Sequence, residues 1–237
     1  MTEPGGIQRA LVPTILLVRH AQASFGAVDY DVLSAVGHEQ VAALVAGLER
    51  RGIAPAFVVS GALRRQRETA EPCAAAAGLD VTIDDRFNEY DDADVLTHHS
   101  TSPARLAHHA GDAPPLSSRE FQVILNEGLR SWVAAGTSSP CRLPWPSFHG
   151  QVTAALGDVA GDLSKGQTAV VVSSSGVIAA LAASLLGLAP DAFIAFNHVS
   201  VNTAITKVVV GRGGTTLVSY NEHAHLEAAD AALITYR

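Results

Sequence analysis

The chain predicts an α/β fold: a three-layer α/β/α sandwich with a mostly parallel central sheet and a helical cap insertion. Three observations predict it. Between residues 15 and 83, short apolar runs alternate with stretches of helical periodicity, the pattern of strands joined by crossover helices. A second strong apolar run, Thr168 to Val172, turns through Ser173-Ser174-Ser175-Gly176 into an apolar helix. Between these regions, from about Val95 to His149, regular patterning lapses, as in an insertion. The expected organisation is one domain over residues 1–237, with the cap at about 95–149.

The first strand is Ile15 to Val18, an apolar run that ends abruptly in Arg19-His20. A loop from Ala21 to Leu33 carries Gly26, Asp29 and Asp31. Ser34 is placed to cap a helix whose apolar residues Val41, Leu44, Val45 and Leu48 recur at helical spacing, and Gly52 is placed to stop it. Phe57-Val58-Val59 reads as the second strand, and Ala62 to Gly78 as a helix that Pro72 should kink. Val81-Thr82-Ile83 is the third strand.

In the insertion, His98-His99, His108-His109, Pro114-Pro115 and the prolines from Pro140 to Pro146 interrupt one helix, Arg119 to Ala135. A helix from Gln151 to Leu163, the strand Thr168 to Val172 and the helix Val177 to Leu186 follow. Ala204 to Val210 and Thr215 to Tyr220, joined by Gly211-Arg212-Gly213-Gly214, form a β-hairpin. The tail from Glu222 has no clear pattern.

Composition excludes several functions. Hydrophobic residues make up 48% and charged ones 16%, yet no apolar run reaches the roughly 18 residues of a membrane span. The net charge of −7, with Lys165 and Lys207 the only lysines, argues against a surface that tracks nucleic-acid phosphates. Cys73 and Cys141 are too few for a disulfide framework and lack CxxC spacing, so both read as reduced thiols. The start, MTEPGGIQRA, lacks the pattern of a secretory signal, and a cytoplasmic location is expected. GxxxxGK[ST] and GxGxxG loops are absent. The histidine pairs lack carboxylates at ligand spacing, so no metal is expected.

Charge at the carboxyl end of a buried strand is where open α/β sheets hold ligands. A neutral His20 can attack phosphorus while Arg19 grips phosphoryl oxygens, and nearby cations keep the imidazole unprotonated. On the next helix, Arg64/Glu68 and Arg67/Glu71 form a solvated face. Arg65 instead shares a stripe with Ala62, Thr69, Cys73 and Ala76, where a guanidinium has to meet an anion. Glu89, after the third strand, is a candidate proton donor to a leaving oxygen, with Asp91, Asp92 and Asp94 as other candidates.

These residues resemble the histidine phosphatase superfamily, the phosphoglycerate-mutase-like fold, in its first branch. Leu17-Val18-Arg19-His20-Ala21 is similar to the opening LxRHG, with Ala21 for Gly, and Leu33-Ser34-x-x-Gly37-x-x-Gln40-Val41 resembles L(T/S)xxGxxQA. Leu63 to Ala70 resembles LxRAxQTA, which assigns the family's phosphate-binding arginine to Arg65. Asn88-Glu89 is similar to the neighbourhood of the family's acid, and Asn221 to Leu226 to its late NdxxHL stretch. The resemblance implies a phosphohistidine at His20, phosphate held by Arg19 and Arg65, and a leaving group protonated by Glu89, without a cofactor.

One departure is sharp. Where the family reads VSHGG, this chain reads Val172-Ser173-Ser174-Ser175-Gly176, so Ser174 stands in the place of the second histidine. Its hydroxyl can offer one hydrogen bond, and backbone N–H groups at Ser175 and Gly176 can add others. Losing one preorganised donor typically costs about 10²–10³ in rate. The expectation is a phosphomonoesterase acting on a small phosphorylated substrate, with a homodimer left open. The alternatives are a weakened or inactive member that binds phosphorylated ligands, a phosphomutase, and a serine hydrolase using Ser174, for which only half of G-x-S-x-G is present. If position 174 faces the phosphate, Ser174→His should raise activity.

Overall fold

β1 (Thr14–Arg19) and β4 (Thr168–Ser173) run side by side at the middle of a six-stranded sheet. Its order is β3-β2-β4-β1-β5-β6, where β2 is Phe57–Ser60, β3 Val81–Ile83, β5 Ile205–Gly211 and β6 Gly214–Glu222. The four strands β3, β2, β4 and β1 are parallel, and the β5–β6 hairpin adds antiparallel to β1. The computed structural model describes residues 12–24, 31–102 and 117–236. The expectations placed on Gly26, Asp29, His108, His109, Pro114 and Pro115 lie outside the described residues.

Side chains alternate across a strand, and this alternation sorts the apolar residues into two layers. Leu16, Val18, Val58, Val170 and Val172 pack beneath α1 (Ala35–Arg50) and α2 (Arg64–Ala76). Ile15, Leu17, Val59, Ala169 and Val171 face the other layer. That layer contains α4 (Ser118–Ala135), α5 (Trp145–Asp162) and α6 (Ser175–Leu185). Both faces of the central strands are therefore dry, as all-parallel pairing requires.

The helix ends follow the sequence signals. Ser34 Oγ accepts from the Gly37 N–H at the start of α1, and Gly52 leaves its end at φ 63°. α2 continues through Pro72 to Ala76. The Arg64–Glu68 pair forms at 2.7 Å on its exposed side.

Four elements differ from expectation. α3 (Asp92–His99) occupies a stretch read as broken by His98-His99. Asp91 caps it, with acids in the first turn and both histidines in the last, where each complements the helix dipole. α5 begins at Trp145, six residues early, because Pro146 sits in its first turn, where a missing N–H costs nothing. A short α7 (Phe193–His198) follows Pro190, and the tail contains α8 (Ala224–Glu227). No described helix is long and apolar enough to cross a membrane.

The aromatic residues of the expected insertion divide by role. Trp132, Trp145 and Phe148 are buried with Tyr90 and Phe193, the Trp145 and Phe193 rings stacking at 4.5 Å. Phe121 instead reaches the cleft described below. Cys73 and Cys141 are buried free thiols, and burial pushes Cys73 up to about 12.

Candidate active site

Parallel strands end their carboxyl termini at one edge, and the register sets Arg19 of β1 opposite Ser173 of β4 there. A cleft of about 370 Å³ opens over this edge. Arg19, His20, Arg65, Glu89 and Ser175 all line it.

His20 is buried directly beyond β1. Its backbone N–H donates to the Ser173 carbonyl at 2.8 Å, and its own carbonyl accepts from Asn202 Nδ2 at 3.0 Å. Thr203, next in sequence, has φ 60°, a backbone state uncommon for a β-branched residue, and its N–H donates to the Arg19 carbonyl. The segment before β5 thus clamps the Arg19-His20 backbone.

The His20 ring is fixed as well. Nδ1 lies 2.8 Å from the Ala21 carbonyl, an acceptor that only an N–H can meet, so the tautomer leaves a lone pair on Nε2. Arg65 Nε donates to that lone pair at 3.2 Å. Burial, then Arg65, then Arg19 hold the imidazole well below its usual protonation range.

Arg19 donates through Nη1 to the carbonyls of Ser200 and Tyr236. Arg65 projects from the first turn of α2, and the anion it meets is Asp31, with Nη1 at 2.6 Å from Oδ1. Its backbone carbonyl accepts from Thr69 Oγ1, which in turn accepts from the Ala21 N–H. The Thr69 hydroxyl thus ties α2 to the chain just beyond β1.

Glu89 closes the opposite wall. Its Oε2 accepts from the Gly176 N–H at 2.9 Å, and Oε1 from the Tyr90 N–H at 3.3 Å. Burial raises its carboxyl above the ordinary range against these bonds and both arginines. The close approach requires glycine at 176, because a Cβ there would stand 2.4 Å from Glu89 Oε1 and from the Tyr90 ring. Gly176→Ala should cost about 1–3 kcal/mol by overpacking and displace Glu89. Thermal unfolding and turnover measured together check this, since both should fall.

Ser174 is placed differently from its neighbour Ser175. It is fully buried, it does not line the cleft, and its Oγ accepts from Gln66 Nε2 at 2.9 Å. Gln66 Nε2 also donates to the Phe87 carbonyl at 3.1 Å, so Ser174 joins α2 to the segment before Glu89. Ser174→Ala leaves one amide N–H of Gln66 without this acceptor. The expected cost is about 1 kcal/mol of stability, read by denaturant unfolding.

Of the alternative acids, only Asp92 lines the cleft, where burial raises its carboxyl. Asp91 and Asp94 turn instead towards Arg142. Ala23, Tyr90, Phe121, Gln122, Leu125, Asn197, His198 and Tyr236 complete the lining. Asn197 and His198 come from α7, an element the sequence reading lacked, and Asn197 Nδ2 donates to the Tyr90 hydroxyl at 3.3 Å. His223 and His225 lie elsewhere, His225 bonding Thr203 Oγ1 at 3.1 Å.

Comparisons with known proteins identify the family and the fold. The family described as "Histidine phosphatase superfamily (branch 1)" matches residues 15–223. The glucosyl-3-phosphoglycerate phosphatase of Mycolicibacterium vanbaalenii is 28% identical over 204 residues, 76% of this chain and 77% of that protein. Two solved structures share the fold. Phosphoserine phosphatase from Entamoeba histolytica, in complex with 3-phosphoglyceric acid, superposes with TM-score 0.64 at 19% identity, over 90% of this chain and 99% of that one. Phosphoglycerate mutase from Bacillus anthracis gives TM-score 0.63 at 18% identity, over 92% and 96%.

Proposed function

The chain belongs to the histidine phosphatase superfamily (branch 1), and on that premise we propose that it is a phosphatase that hydrolyses small phosphomonoesters through a phosphohistidine on His20. One observation carries the proposal. Nε2 of a buried, neutral imidazole lies beside the Arg65 guanidinium, in the same cleft as Arg19 and a carboxyl group raised above its usual range.

In the first step Nε2 attacks phosphorus and the bond from phosphorus to the ester oxygen breaks. Protonated Glu89 delivers its proton to that oxygen, so an alcohol leaves. In the second step Glu89, now ionised, takes a proton from water as the water oxygen attacks phosphorus. The P–N electron pair returns to His20. Arg19, Arg65 and Ser175, with the Ser175 N–H at the start of α6, hold the phosphoryl oxygens in this scheme, the Gly176 N–H being engaged by Glu89. Residues 95–149 act as the cap over the leaving group, and the presence of Phe121, Gln122 and Leu125 in the cleft supports that reading. The mechanism requires no cofactor.

A second reading, phosphate binding without turnover, draws on Ser174, whose hydroxyl is engaged by Gln66 rather than directed at the cleft. Incubating the protein with a generic phosphomonoester separates the two. Inorganic phosphate released by the native protein and not by His20→Ala supports hydrolysis, and equal release by both would sink the mechanism.

A further inference from the structure

Arg65 is the cation nearest the proposed nucleophile, yet its guanidinium is already engaged by an anion of the protein itself. The Asp31 carboxylate makes two contacts. Oδ1 meets Arg65 Nη1 at 2.6 Å, and Oδ2 accepts from the Arg64 backbone N–H at 2.7 Å, one of the exposed donors at the start of α2. Arg65 is mostly buried, with 12% of its side chain exposed against 34% for Asp31, so the pair is only partly screened by water.

Further acids surround it. Burial raises the carboxyls of both Glu89 and Asp92, and Arg65 is near enough to act against that rise in each. Glu68, on the same helix, is committed to Arg64 and to the Leu33 N–H. Among the described residues, Asp31 is the acid whose carboxylate contacts the guanidinium that the phosphate site depends on.

Arg65 Nε donates to the lone pair of His20 Nε2. That lone pair has to be released before Nε2 can attack phosphorus, so the guanidinium must turn its Nε–H from the imidazole to a phosphoryl oxygen. While it turns, Asp31 holds the other end through Nη1. The same carboxylate opposes the incoming phosphate, because one guanidinium is shared between two anions.

We propose that Asp31 is a positioning residue that acts through Arg65 as a resident competitor of the phosphate, lowering anion affinity and easing release of the inorganic phosphate product. The inference rests on the phosphate-site reading above. It is distinct from a structural role, because a residue that merely built the site would, when replaced, weaken anion binding.

Asp31→Asn separates the two. Its amide oxygen can still accept from the Arg64 N–H, while the charge is lost and the amide N–H groups face a donor. The probes are orthovanadate, followed by titration calorimetry, and inorganic phosphate, followed as an inhibitor of hydrolysis. The expected result is vanadate affinity tightened about three- to tenfold, as removing one charge beside a partly screened site allows. Inhibition by phosphate should tighten in parallel, and KM should fall without any rise in kcat. Asp31→Ser, which keeps an oxygen acceptor without the charge, decides by the same criterion if the asparagine variant does not fold. Unchanged or weaker vanadate binding in the folded variant would overturn the inference. If the native protein binds neither vanadate nor phosphate, the phosphate-site reading itself has failed.

Discussion

His20→Ala is expected to abolish phosphomonoester hydrolysis, with kcat falling by about 10⁴-fold or more, the range in which loss of a covalent nucleophile leaves only binding and electrostatic assistance. The imidazole presents its Nε2 lone pair to the cleft once Arg65 Nε turns away, and its tautomer is set by the 2.8 Å contact to the Ala21 carbonyl. Burial holds it neutral at neutral pH, so the lone pair is present without a separate base. The native protein, quenched during turnover, should carry a phosphoryl group that is labile in acid and stable in alkali, as a P–N bond is. His20→Ala should carry none. A label that survives in the alanine variant would move the nucleophile elsewhere.

Glu89→Gln should have an effect that depends on the leaving group. For alkyl phosphates, whose oxygen cannot depart as an alkoxide, loss of the general acid is expected to cost about 10²–10⁴ in kcat. For p-nitrophenyl phosphate, which releases a stabilised phenolate, the first step should be nearly unaffected and the loss confined to hydrolysis of the phosphoenzyme. The pH profile of kcat/KM supplies a second sign.

Activity needs His20 neutral and Glu89 protonated. The acid limb therefore falls where His20 takes up its proton, below the ordinary imidazole range because burial and both arginines depress it. The alkaline limb falls where Glu89 loses its proton, above the ordinary carboxyl range because burial raises it. The optimum lies between these two titrations, with the alkaline limb absent in Glu89→Gln. An alkaline limb unchanged in that variant would assign the acid to another group, with Asp92 the next carboxyl in the cleft.

Much of the framework was readable because its signals are local. β1, β2, β3 and β4 are short apolar runs, and each was legible within a residue or two. Ser34 and Gly52 bounded α1 through chemistry confined to one turn. α3 is masked in the sequence by its adjacent histidines, although acids first and histidines last is a dipole-complementing order. The start of α5 is obscured in the sequence by its prolines, which break a helix only beyond the first turn. Phe121 and Trp132 look alike in sequence, yet one lines the cleft and the other is core. Neither the helix face nor its partner is settled by residue type.

By itself the sequence determined where charge would meet the sheet. An apolar strand ending in Arg19-His20, and an arginine on a stripe of small residues at Arg65, are properties of a few consecutive residues, and the parallel edge gathers them. The tertiary structure alone decided what those groups touch. Arg65 meets Asp31 across 34 residues of chain, and Gln66 takes the Ser174 hydroxyl across 108. Asn202 reaches the His20 carbonyl from 182 residues away. Such partners depend on how loops and helix ends pack at the edge of the sheet, where periodicity carries no information, and a hydrogen bond a few ångströms long leaves no trace in the spacing of the residues that make it.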